Sequence, residues 1–169
     1  MILRSLLAAT ALIALPRVAA AQSASSLAGT WTLVTAYELK TDGSRTQNYG
    51  ADAKGILMID EAGRYSLQIF RPGRPRFAAG DKTKGTPDEY QQAVLGSSTH
   101  AGRLRLDPAQ GLIIFQIELA SFPNWEGTEQ RRVYTMAGYT LTYKVPAAAS
   151  GNGTVAVSQW KREKVTGDK

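Results

Sequence analysis

Turn signals punctuate this 169-residue chain at short intervals, and their spacing limits what it can fold into. Asp42-Gly43, Glu61-Ala62-Gly63, Pro108-Ala109-Gln110-Gly111 and Ala137-Gly138 each separate short segments in which apolar and polar residues alternate. Alternation with period two is the pattern of a strand with one buried face, and tight turns join such strands antiparallel. The chain therefore reads as all-β, a barrel or a sandwich. Strands are expected near Thr30–Leu39, Gly55–Asp60, Arg64–Arg71, Ser97–Asp107, Leu112–Leu119, Gln130–Met136, Tyr139–Val145 and Thr154–Arg162. Ser23 to Leu27 reads as a polar linker ahead of them, and 147–153 as an Ala/Ser/Gly turn before the last.

Two insertions interrupt the series. Pro72 to Gly96 opens with a stretch too rich in Pro, Gly and cations for a central strand. Its second half predicts a short helix between the third and fourth strands. Thr86 is placed to cap it, Pro87 suits the first helical position, Glu89 completes a capping box and Gly96 ends it. Tyr90, Ala93 and Val94 then fall on one helical face. The second insertion, Ala120 to Thr128, carries Phe122-Pro123-Asn124-Trp125-Glu126-Gly127.

The N-terminus has a different grammar. Arg4, the apolar run Ser5 to Leu15 and Ala19-Ala20-Ala21 make up the three regions of an export signal, with cleavage expected before Gln22. The apolar run is too short to span a bilayer. The expectation is a signal peptide at 1–21 and one barrel domain at 22–169, periplasmic or secreted, without a transmembrane segment and monomeric.

Composition removes whole classes of chemistry. The chain has no cysteine and a single histidine, His100, so thiol nucleophiles, cysteine zinc sites and two-histidine metal motifs are excluded. No cofactor or metal is expected. Losing Arg4 and Arg17 with the signal lowers the net charge from +6 to +4, a modest excess that favours anionic ligands. Nucleic acid is not an expected partner, because aromatic residues do not interleave with a basic face.

Alternation also predicts the inner face. If Trp31 points inward, so do Leu33, Thr35 and Tyr37. Tyr65, Leu67 and Ile69 share a face, as do His100, Gly102, Leu104 and Leu106. Ile113, Phe115 and Ile117 form another inner row, Arg132, Tyr134 and Met136 the next, then Leu141 and Tyr143. Apolar walls with a few placed polar groups describe a small-molecule site as well as a plain core. The candidate ligand residues are Tyr37, Tyr65, His100, Phe115, Trp125, Arg132, Tyr134 and Tyr143. His100 reads as a hydrogen-bonded wall residue or a general acid–base. Arg132 would contact a ligand acid, pair with Glu118 or Glu129, or simply face water. Trp125 would close the mouth as a lid or wedge into the wall. Arg71, Arg74, Arg76, Lys82 and Lys84 make either an anion-attracting rim or a solvated loop.

Several blocks, spread over nearly all of the chain after the signal, carry a family resemblance. They are Leu27-Ala28-Gly29-Thr30-Trp31, Lys54-Gly55-Ile56-Leu57, Gly63-Arg64-Tyr65-Ser66-Leu67, Gly85-Thr86-Pro87, the run from Ser121 to Gln130, and Trp160-Lys161-Arg162. In this order they resemble the small bacterial lipocalin-like proteins of the broader calycin group. The resemblance implies an up-and-down barrel of about eight strands with a ligand-sized interior. It also implies a plugged end, with Gly29, Trp31, Trp160 and Arg162 as structural residues and a cation from the last strand over Trp31. The chain lacks the long helix after the last strand and the disulfide of transport lipocalins. The expected function is an exported binding protein for a small hydrophobic or amphipathic molecule, acidic ones included. A barrel enzyme of isomerase, cyclase or hydrolase type and a loop-mediated partner-binding or inhibitory module are the alternatives.

Overall fold

The computed structural model describes residues 24–145 and 153–164. The expected signal segment at 1–21 and nearly all of the turn at 147–153 lie outside them. Nine antiparallel strands make one sheet: β1 (Gly29–Leu39), β2 (Arg45–Thr46), β3 (Lys54–Ile59), β4 (Arg64–Phe70), β5 (Ser97–Asp107), β6 (Leu112–Ala120), β7 (Glu129–Ala137), β8 (Thr140–Val145) and β9 (Val155–Arg162). Consecutive strands are neighbours, and β1 also pairs with β9, which closes the sheet into an eight-strand barrel. Closure removes the exposed sheet edges that an open meander of this length would carry.

The ninth strand is a spur. β2 pairs with the end of β1 through Glu38 and Thr46 and through Leu39 and Arg45. Its two residues sit where alternation had only a turn. They displace the predicted helix in the strand order: α1 (Pro87–Leu95) lies between β4 and β5, not between the third and fourth strands. The helix itself starts as its capping chemistry dictates. The Thr86 side chain accepts from the Glu89 backbone N–H at 3.2 Å, and the Glu89 carboxylate accepts from the Thr86 N–H at 2.7 Å. Its expected apolar face does not pack on the barrel. Val94 is exposed, and Tyr90 instead meets the Phe77 ring edge-on and bonds to the preceding loop at Lys82 and Gly85.

Among the described residues, the short turns joining β3 to β4, β5 to β6 and β7 to β8 lie at one, tight end of the barrel, and the β1–β2 turn and the longer β4–β5 and β6–β7 connections lie at the other. The tight end is the floor. Ala24–Leu27, expected as linker, winds into a 3-10 turn that buries Leu27 beneath the barrel. The Leu27 carbonyl accepts from the Trp31 indole N–H at 2.9 Å. Arg162 is paired with Trp31 in register and holds its guanidinium 4.5 Å from the Trp31 ring centroid. Gly29 has φ of 132°, a backbone setting that admits essentially only glycine. Trp160 is fully buried one layer further in, stacked on Tyr143.

Register shifts break the simple alternation twice. The shift between Leu33 and Thr35 leaves the solvent-exposed Val34 as the extra residue of β1, without a partner in the β9 ladder. Beyond it Ala36 is the buried residue, and Thr35 and Tyr37, expected inward, are only partly covered. The second shift lies between Ala101 and Gly102, where β5 bends against β6.

Candidate functional site

The space above the floor is a cavity of about 830 Å³ that opens among the long connections. This is ample for a drug-sized molecule. Leu67, Ile69, Ala36 and Val157 supply apolar wall, and His100, Arg132, Tyr143 and Ser158 supply polar groups. Phe122 and Trp125 stand at the mouth.

Arg132 dominates the electrostatics. It is only 6% exposed, although it sits on β7 between the exposed Arg131 and Val133. Its guanidinium lies 4.4 Å from the Phe115 ring centroid and 4.9 Å from that of Tyr143. One nitrogen, Nη2, donates to the Gln130 side-chain oxygen, while Nε has no partner among the described residues. Neither expected carboxylate reaches it. Glu118 pairs with Arg64 at 2.7 Å and Arg103 at 3.7 Å on the outer surface. Glu129 is held by Arg105 and Arg131. Burial pulls Arg132 below its ordinary pKa, but a guanidinium starts high enough to stay charged at neutral pH. A buried positive charge therefore faces the cavity without a counter-charge.

The Tyr143 hydroxyl is the second unsatisfied group. It is buried near Trp160, Ser158 and Arg132, yet nothing meets it in hydrogen-bond geometry among the described residues. His100 is better provided for: its Nδ1 lies 2.8 Å from the Tyr65 hydroxyl. Burial first, and Arg132 second, push the His100 pKa down to about 3. Burial drives Tyr65 and Tyr143 the other way. At neutral pH the imidazole and both phenols are uncharged, and Arg132 supplies the only inner charge among these four.

The eight candidate ligand residues divide by depth. His100, Arg132 and Tyr143 line the inner cavity, Trp125 stands at its mouth, and Tyr37 touches its rim with its ring beneath Arg45. Phe115 and Tyr65 form the layer underneath, their rings edge-to-face at 4.9 Å, with Tyr65 5.3 Å and Phe115 5.5 Å from the His100 ring. Tyr134 is set opposite Tyr143 but does not reach the cavity. Trp125 presents its edge to His100 at 6.0 Å, fixed by the 3-10 turn Pro123–Trp125, so it serves as part of the wall at the mouth. The cationic loop is mostly committed elsewhere: Arg71 donates to the Asn48 carbonyl, Arg74 covers Phe70, and Lys84 pairs with Asp81.

Sequence reasoning missed Asn48 and Tyr49, which line the cavity from the loop after β2, and Gln130, which shares the inward parity of Arg132. Alternation would have found Gln130. No periodic signal marks the other two. Among the described residues no cluster of His, Asp or Glu could hold a metal, and no helix is long and apolar enough to cross a membrane.

A closed barrel with a plugged floor and one polar-bottomed cavity defines a calycin-type binding architecture. The lipocalin-like domain family model matches residues 28–163, and the protein belongs to that family. The 4'-hydroxy-3'-methoxypropiophenone carrier protein ppsC of Aspergillus oryzae is 28% identical over 105 residues, spanning 57% of this chain and 95% of that protein. A crystal structure of a mutant of the fluorescent protein UnaG is similar at 15% identity with a TM-score of 0.36, covering 81% of this chain and 96% of the other.

Proposed function

We propose that this protein binds a small amphipathic molecule inside the barrel, with the acidic or polar head held by Arg132, His100 and Tyr143 and the apolar body toward the mouth. The observation that carries the reading is Arg132, a buried guanidinium that lines the cavity and forms no ion pair among the described residues, the nearby Glu129 being held by Arg105 and Arg131. Leaving such a charge unpaired is costly, and a ligand acid is the partner the cavity can admit. The fungal relative named as a carrier of a substituted phenyl ketone supports the same class of function. The barrel-enzyme alternative draws less support. A His100 with its pKa near 3 is a weak base at neutral pH, and its one observed polar partner is a tyrosine.

Titration of a fluorescent fatty-acid analogue against the wild type and Arg132→Met tests this. Methionine keeps much of the length and removes the charge. Affinity should fall about ten- to a hundred-fold in the variant, the usual range for losing a charge-assisted contact. Equal affinity in both proteins would remove the head-group role.

The reading includes export, with the segment 1–21 removed before Gln22. It rests on the Arg4, apolar-run and Ala19-Ala20-Ala21 pattern. N-terminal sequencing of protein from its source checks it, and a chain still starting at Met1 would overturn it.

A further inference from the structure

We infer that the barrel takes weak acids, phenols and enols as well as carboxylic acids, as their conjugate bases, so that binding strips the ligand of its proton. The inference rests on the proposed ligand site and concerns the charge state of its occupant.

The geometry is one-sided. Arg132 lines the cavity, is almost fully buried, and spends Nη2 on the neutral Gln130 while its Nε has no partner among the described residues. The Phe115 and Tyr143 rings against it offer their π faces but no full negative charge. Tyr143 adds a buried hydroxyl that has no partner in hydrogen-bond geometry among the described residues. A neutral hydroxyl entering this site would leave the buried cation uncompensated. An oxyanion would neutralise it and accept from both Arg132 and Tyr143. The site therefore discriminates between the two protonation states of one molecule, and by linkage it lowers the pKa of whatever it binds. The proton lost from the ligand O–H goes to solvent, one for each molecule bound as the anion.

The other groups facing this position leave the ligand's proton as the one that moves near neutrality. His100 on β5 is neutral above about pH 3. Tyr65 on β4 and Tyr143 on β8 are pushed up by burial. Toward the mouth Glu38 of β1 accepts from Thr154, and Glu129 of β7, held below its ordinary pKa, pairs with Arg131 beside it and with Arg105. The facing strand β9 contributes only Ala156, Val157 and Ser158 to the lining.

The test uses a 4-alkyl-7-hydroxycoumarin, whose phenol and phenolate absorb at different wavelengths, and its 7-methyl ether as the uncharged twin. Wild-type protein should bring up the phenolate band at a pH where the free probe is still protonated. The bound midpoint should fall by about one pH unit or more, which equals a ten-fold or greater preference for the anion. The ether should bind at least ten-fold more weakly, and Arg132→Met should not develop the band. The wild-type spectrum decides the matter even if that variant fails to fold. If phenol and ether bind equally and the phenol keeps its neutral spectrum, the inference falls while ligand binding in the barrel stands. If the fatty-acid analogue binds and the coumarin does not, the site takes only acids already ionised, and the inference falls again. If none of the three probes binds, both this inference and the binding function fall together.

Discussion

Arg162 covers the face of Trp31 at the barrel floor, its guanidinium 4.5 Å from the ring centroid, and the two residues are direct partners across the β1–β9 seam. The contact joins the two strands whose pairing closes the barrel. Arg162 also reaches the Ser26 carbonyl in the 3-10 turn beneath. Trp31→Ala should cost about 3–5 kcal/mol as a core truncation. Arg162→Ala should cost less, about 0.5–2 kcal/mol from the cation–π contact alone. Urea melts check both values, and a loss below about 1 kcal/mol for Trp31→Ala would place that ring outside the energetic core.

Gly102 occupies the point where β5 bends. A Cβ there would sit 2.0 Å from the Gln116 carbonyl oxygen and 2.9 Å from the Glu118 nitrogen. Both obstacles are backbone, so no side chain can swing aside. Gly102→Ala should destabilise the protein by about 1–3 kcal/mol as an overpacking change. His100 lies two residues away, so the same variant should weaken binding of the fatty-acid analogue. Unchanged melting together with unchanged binding would show that the β5 bend is soft.

His100 predicts the acid side of the stability curve. Its pKa is held at about 3 in the fold, against about 6.5 in an unfolded chain. Between these values the unfolded chain binds the proton and the folded one does not. The contribution of neutral His100 is thus complete above about pH 6.5 and is lost as the pH falls toward 3, at no more than about 1.4 kcal/mol per pH unit. Melts at pH 7 and pH 5 should differ by up to ~2 kcal/mol from this group, and His100→Gln should lack that difference. An equal slope in both proteins would mean that His100 becomes protonated within the fold.

Arg132 should trade stability for function. Replacing buried ionic groups with apolar ones of similar volume has stabilised other proteins by about 1–4 kcal/mol. The cation–π contacts with Phe115 and Tyr143 offset part of that, at about 0.5–2 kcal/mol each. The ligand-free Arg132→Met protein should accordingly be at least as stable as the wild type. A marked drop in its melting temperature would assign Arg132 a structural duty.

How much of this could be read from the sequence differs by residue. The hairpin at Gly138 and the Thr86–Glu89 capping box depend on neighbours only a few positions apart, so local chemistry determines them. Inner residues such as Tyr65, His100, Phe115 and Arg132 were legible because a strand keeps its parity as long as its register holds. Tyr37 lines the cavity only at its rim, because the β1 register shift, which carries no signature in Leu33-Val34-Thr35, gives the buried place to Ala36. Asn48 and Tyr49 were invisible because the loop that brings them over the cavity is held by the Asn48 carbonyl and Arg71, 23 residues apart. The isolation of Arg132 was beyond reach for another reason. It depends on where Glu118 and Glu129 point: Glu118 pairs with Arg64 and Arg103, and Glu129 with Arg105 and Arg131.

The chain enters and leaves the barrel at the floor, on the side away from the mouth. The Glu163 N–H donates to the Thr30 carbonyl at 2.8 Å, and the Thr32 hydroxyl donates to the Glu163 carboxylate at 2.6 Å. Ala24, ahead of β1, and Glu163, after β9, both lie on that side, opposite the entrance. Held by either end on a surface, the barrel would stand as an upright cup, ready for use as an immobilised sensor with its aperture facing the sample.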